Sequence, residues 1–334
     1  MIPLMLSKRV RTFQCVVAAF GACAWGCGGE SGSPVAADAS VCDGASCSAD
    51  AGQGTANVEC SDPLCSRGTA EVCERWNARV ARPSGTSWWT AGAAACDLGT
   101  IVDGSKQDAL KRINTYRWLA GLADNVVENT SQFQDAQSCA VMMAVNGAID
   151  HTPPNSWACR TPEALAGAGS SNLSAGADLG GSIDNFMRDS GNETTLGHRR
   201  WFLNPPLGKV GLGYAENSSG VGYSCVGVFD QSGSAGRSWV AYPNPGPAPL
   251  PLAQSMWSFS ATGLDPDNVD VEVYHKADNK SLGIEVTKLA DGFGQPAVGW
   301  RPKGWDVVPG VVYRVVVTQR GQSPIEYEVL PVSC

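Results

Sequence analysis

The sequence predicts a layered α/β or α+β domain followed by a small all-β sandwich. Three observations support this. From about residue 105 to 202 apolar residues recur at helical spacing. From about 210 the chain changes to short runs of strand-forming residues. Beyond 252 such runs alternate apolar and polar positions between turn signals.

The N-terminus reads as an export signal. Lys8, Arg9 and Arg11 form a basic segment ahead of Phe13–Trp25, an apolar stretch of 13 residues that is too short to span a bilayer. Cys27 follows small residues and precedes Gly-Gly-Glu-Ser-Gly-Ser, so residues 1–27 resemble a bacterial lipoprotein signal with Cys27 as the acylated residue. Cys23 is a second candidate, and plain secretion is the alternative. The expected setting is the bacterial cell envelope or the exterior, with membrane attachment by the N-terminal lipid anchor only.

Charge narrows the partners. Against 24 Lys and Arg stand 32 Asp and Glu, and no basic block follows residue 12, which excludes nucleic acid as an expected partner. Of 13 cysteines, ten remain once Cys15, Cys23 and Cys27 are set aside. An even number in an exported chain favours disulfides over zinc ligation. Cys42-x4-Cys47 and Cys60-x4-Cys65 form small loops or pair with each other.

Residues 28–99 form a Ser/Gly/Cys-rich tether and a transition, in which Trp76, Trp88 and Trp89 are expected to pack on the next domain. The first helix starts near Ser105, where Ser105-x-x-Asp108 is a capping signal, and Gly121 stops it. A second starts at Ser131-x-x-Gln134 and ends at Asn146-Gly147, with His151 just beyond. A third carries Ile183, Phe186 and Met187. A short fourth puts His198, Trp201 and Phe202 on one face before Pro205. Strands are expected at Val210–Tyr214, Tyr223–Phe229 and Ser238–Tyr242, which closes a domain at 100–242. Five prolines make 243–251 a stiff linker. In 252–334 the runs Met256–Ser260, Val269–Tyr274, Leu282–Val286 and Val311–Thr318 predict the β-sandwich. His275 is a strand-end surface residue, and the acidic 265–270 is a turn rather than a calcium loop.

Four segments occur in family order. They are "ALKRINTYRWLAGL", "DAQSCAVMMAVNGAIDH", "SSNLSAG" and "GHRRWFLNPPLGKVGLGYA". On these, residues 109–230 resemble the CAP superfamily, the domain of cysteine-rich secretory proteins, antigen 5 and pathogenesis-related class 1 proteins. The resemblance implies a three-layer α/β/α sandwich. It also implies a cleft lined by two histidines, at His151 and His198, and two acidic residues. Ser171, beside Asn172, stands where the first family glutamate belongs and supplies no carboxylate. The second falls near Asp189, with Glu193 as a substitute.

These residues support binding of an extracellular ligand (lipid, glycan or protein) in the two-histidine cleft. The alternative is a zinc-dependent hydrolase with His151 and His198 as ligands and Asp189 or Glu193 as base. A third reading is an envelope scaffold with a vestigial cleft, for which Ser171 speaks. Arg199 and Arg200 are expected to pair with acids or lie on the surface, with anion recognition as the functional alternative. Trp201, Phe202 and Leu203 are expected in the core. Cys139 and Cys159 bracket His151, and a disulfide between them is one of 15 connectivities open to the six cysteines from Cys73 onward. The chain has no G-x-S-x-G elbow, H-E-x-x-H helix, Walker loop or dinucleotide fingerprint, so no enzyme class follows.

Overall fold

A computed structural model describes residues 58–80 and 88–334. The expected signal segment, Cys27 and most of the tether fall outside the described residues. Among the described residues no helix is long and apolar enough to cross a membrane.

The first region contains, in order, α1 (Thr69–Ala78), β1 (Trp89–Thr90), β2 (Thr100–Ile101), α2 (Asp103–Leu119), β3 (Val127–Glu128), α3 (Phe133–Asn146), α4 (Pro162–Ser170), β4 (Ser171–Ala175), α5 (Leu179–Arg188), α6 (Gly197–Phe202), β5 (Lys209–Glu216) and β6 (Gly222–Gly227). Four of the strands form a mixed sheet in the order β3-β5-β6-β4, with β3 parallel to β5 and the other pairs antiparallel.

Alternation along the strands feeds two separate apolar clusters. Leu212, Tyr214 and Val226 join Ala109, Ile113 and Tyr116 of α2 and Ile183 and Phe186 of α5. The intervening Ala215, Tyr223 and Cys225 join α3 and α4. Strands buried on both faces read as continuous apolar runs, as β5 and β6 do. Gly213 lets α3 lie close on β5, since a Cβ there would come within 2.0 Å of the Ala136 carbonyl oxygen.

The expected helix ends hold better than the starts. Gly121 (φ 71°) and Gly147 (φ 65°) take the left-handed conformation that closes α2 and α3. Ser105 instead lies inside α2, fully buried, while Val102 occupies the N-cap without a side-chain bond. Ser131 is likewise no cap, because a short 3-10 turn at Thr130–Gln132, capped by Asn129, leads into α3. Sequence reading missed α4, although Thr161-Pro-Glu marks it: Thr161 accepts from Ala164 N and Pro162 sits in the first turn. Trp76 packs edge-on to Tyr116, as expected of a residue docking on the domain.

The C-terminal region contains β7 (Trp239–Tyr242), β8 (Gly246–Pro249), α7 (Leu250–Ala253), β9 (Trp257–Ala261), β10 (Val269–His275), β11 (Lys280–Leu282), β12 (Ile284–Lys288), β13 (Ala297–Pro302), β14 (Tyr313–Gln319) and β15 (Ile325–Val332). Two sheets, β11-β10-β14-β15-β8 and β12-β13-β9-β7, share one core around Trp257, Phe259, Trp300, Tyr313 and Tyr327. All their pairings are antiparallel except β15 with β8.

The proline run expected as a linker is therefore part of the fold. Residues Gly246–Pro249 are buried and pair with β15 at the edge of the sheet, where missing proline N–H groups cost no ladder bonds. Strand β7, expected to close the first domain, pairs with β9 of this region instead. The 265–270 segment is a turn, with Asp265 accepting from Asp267 N and Asn268 Nδ2.

Four disulfides join Cys60 to Cys65, Cys73 to Cys334, Cys96 to Cys159 and Cys139 to Cys225. Cys60–Cys65 is thus a small loop. The Cys139–Cys159 pairing does not form: Cys139 sits in α3 against β6, where Cys225 is its neighbour, and Cys159 reaches Cys96. Such a set fits an oxidising, extracellular compartment.

Candidate functional site

Helix α5 ends at Asp189, which has left-handed backbone (φ 53°) and is almost wholly buried. The turn that follows carries Asn192 and leads into α6, whose second residue is His198. His198 Nδ1 lies 2.8 Å from Asp189 Oδ1, and Asp189 Oδ2 accepts from Arg199 N at 3.2 Å. Asn192 Nδ2, 3.1 Å from both Asp189 Oδ1 and His198 Nδ1, can only donate, and the carboxylate is its acceptor. Asp189 therefore accepts the hydrogen bond from His198 Nδ1–H. That leaves Nε2 as the bare lone pair of the neutral ring, fit to accept a hydrogen bond or to ligate. Phe186 packs against the ring, with centroids 5.0 Å apart.

His151 follows the same rule on another element. Its Nδ1 is 2.8 Å from the Ala168 carbonyl oxygen near the end of α4. A carbonyl can only accept, so this ring too carries its proton on Nδ1. Four residues beyond Ala168, Asn172 Nδ2 donates to the His198 carbonyl at 3.1 Å. The α4–β4 junction thus holds one histidine through a main-chain oxygen and the backbone of the other through an amide. Ser171, between them, buries a hydroxyl that has no partner and bonds to neither ring.

Glu193 points to different chemistry. It accepts from Gly191 N and pairs with Arg301 of β13 at 2.8 Å. Bonds from the Gly191 and Glu193 main chain, with Arg301 nearby, hold its pKa below the ordinary glutamate value.

The C-terminal region supports this turn. Leu196 adopts a left-handed backbone (φ 45°), which costs a branched residue about 1–2 kcal/mol. It is buried in a cluster with Met256, Leu289 and Ala297. Ala290 N donates to Thr194 O at 2.9 Å. Phe293 lies where a side chain at Gly197 would go, within 2.5 Å of its Cβ position.

Arg199 and Arg200 are neither acid-paired nor on the surface. Arg199 is fully buried and donates to the Met187 and Arg188 carbonyls at the end of α5 and to Met256 O of the C-terminal region. Burial pulls its pKa below the ordinary arginine value, against the nearby Tyr242 and Asp189. Arg200 donates to Thr195 O, Ala290 O and Gln295 O. Both serve as clamps on main-chain oxygens. Arg117 does the same for Phe202, Asn204 and Pro205 at the end of α6. Its helix partner Asn114 bonds both polar main-chain atoms of Val126, so the Asn-x-x-Arg pair of α2 is structural.

With the fold and these contacts in place, one comparison is decisive: residues 110–229 match the model of the cysteine-rich secretory protein family, CAP. This segment is a CAP domain. No curated protein matches the chain. The CAP domain contains His151, Ser171, Asn172, Asp189, Glu193 and His198, while Met256, Ala290, Phe293 and Arg301 lie beyond it.

A catalytic zinc site takes three protein ligands and an open position. Among the described residues no group of three or more His, Cys, Asp and Glu side chains is arranged to hold a metal. Ser171 offers no carboxylate, Asp189 is bonded to His198 Nδ1 and Arg199 N, and Glu193 is bonded to Arg301. The donor set does not fit such a site. Sequence reading missed Asn192, the third member of the Asp189–His198 cluster. The Asp-x-x-Asn spacing just past a helix end was the available signal.

Proposed function

We propose that this is an exported CAP-domain protein, anchored through a lipid on Cys27, that binds an extracellular ligand in a two-histidine cleft. In this reading the CAP domain is a three-layer α/β/α sandwich whose cleft turn is held from behind by a C-terminal β-sandwich. The observation that carries it is the 2.8 Å contact of His198 Nδ1 with Asp189 Oδ1, a carboxylate that accepts from Nδ1–H and leaves Nε2 of the neutral tautomer as an acceptor. His151 presents a second in the same way. Two acceptor nitrogens suit a ligand that offers hydroxyl or amide donors, as lipid headgroups, glycans and proteins do.

The test is a screen of the immobilised chain and its His151→Ala/His198→Ala double variant against lipid vesicles, a glycan array and extracellular proteins. A ligand retained by the wild type and lost by the folded double variant supports the reading. Identical profiles for the two would overturn it. The anchor is tested separately, by mass spectrometry of the N-terminal peptide before and after Cys27→Ser.

The zinc hydrolase is the weaker reading, because among the described residues no third ligand is grouped with the histidines, and Asp189 and Glu193 are already bonded. Metal analysis after chelator washing and zinc re-addition should find no tightly held ion. One ion per chain, lost with His151 and His198, would reinstate it.

A further inference from the structure

A second site is built where the CAP domain meets the C-terminal region. A groove of about 530 Å³ is lined by Trp201, Asn204, Gln231, Arg237, Thr262 and Gln295. That volume lies within the range of small-molecule sites.

Its chemistry is specific. Trp201 is half-buried beside the CAP core and packs against the exposed Phe229 with centroids 4.6 Å apart, a fixed aromatic surface. Asn204 is only 7% exposed, yet its side-chain amide makes no hydrogen bond within the described protein and lines the groove. An amide that lines the groove with no partner in the protein can donate to and accept from a ligand there. Gln295 donates to Thr262 Oγ1 at 2.9 Å, while its buried Oε1 has no partner. The one charged lining residue, Arg237, is taken up by an ion pair with Asp62 and a bond to Trp239 O.

We infer that this groove binds a neutral saccharide. A sugar ring has an apolar C–H face that packs on an indole and a rim of hydroxyls that both donate and accept. Unpartnered amide groups beside an aromatic face match both features, and a neutralised arginine gives an anion no attraction. Gly292 and Gly294, both at positive φ, also line the groove and add no side chain to it. The site shares no residue with His151, His198 or Asp189 and stands independently of the cleft.

The experiment is calorimetric titration of the full chain with chitotriose, cellotriose and maltotriose. At least one should bind at a single site, and Trp201→Ala should weaken it about tenfold or more, as expected for a central aromatic contact. Gln231→Ala changes an exposed loop residue, keeps the fold, and should weaken binding about threefold. No heat from any of the three sugars at about 10 mM would overturn the inference. Binding indifferent to both substitutions would do the same, as would stronger binding of a sulfated oligosaccharide.

Discussion

Arg199, the residue after His198, donates its Nη1 hydrogen to the Met256 carbonyl of the C-terminal region at 2.6 Å. The same guanidinium closes the end of α5 through Met187 O and Arg188 O and stacks on Tyr242, 3.9 Å from the ring centroid. The element that presents His198 is thus fastened to a region outside the CAP domain. Replacing Arg199 with Met removes the charge together with these bonds and leaves buried carbonyls unpaired. The expected loss is about 3–5 kcal/mol in urea denaturation, larger than for any surface arginine. A loss below about 1 kcal/mol would show the clamp to be incidental.

Asp189→Asn should reverse the His198 tautomer. Arg199 N is an obligate donor, so the new amide keeps its oxygen there and turns its NH2 toward His198 Nδ1, and Asn192 turns its own amide so that its oxygen, not its NH2, faces that group. Nδ1 then becomes an acceptor and the proton moves to Nε2. Nitrogen-15 spectra of labelled histidine should show a bare Nε2 in the wild type and a protonated Nε2 in the variant. Unchanged ring nitrogens would mean that Asp189 does not set the tautomer.

Most of this arrangement was legible locally and illegible at long range. The spacing of Ile183 and Phe186, the short helix at His198 and the glycine stops at Gly121 and Gly147 are properties of neighbouring residues, and they hold. Motif order placed the CAP domain. The long-range partners of Arg199 and Arg200, Met256 O, Ala290 O and Gln295 O, lie 57 to 95 positions away on main-chain oxygens, which have no residue type to read. Proline content at 243–251 argued for a linker because composition does not say whether a segment meets a sheet edge. Disulfide partners are likewise set by how α3 and β6 pack, which spacing alone leaves open.

The four disulfides should differ in weight. Cys73–Cys334 closes a separation of 261 residues and ties α1 to the end of the chain, whereas Cys60–Cys65 closes five. Chain-entropy reasoning gives about 5–6 kcal/mol for the first and about 2 kcal/mol for the second. Paired Cys→Ser variants compared by denaturation midpoint should follow that order. Equal losses would mean that the other bridges already restrict the unfolded chain between Cys73 and Cys334.

Asp230 gives the fold a specific acid-sensitive point. Partial burial pushes its pKa up, but bonds from the Ser232 hydroxyl and from the Ser232, Gly208 and Lys209 amides outweigh it and hold the pKa below the ordinary aspartate value. A carboxyl depressed in the folded state stabilises fully above its unfolded pKa and loses that contribution as pH falls through the folded one. The Gly208 and Lys209 amides should therefore be protected from hydrogen exchange above about pH 4 and lose protection progressively below it. Asp230→Asn should exchange faster at those two amides at neutral pH and show little of this acid dependence. If wild type and variant lose protection together on acidification, the acid response lies elsewhere in the molecule.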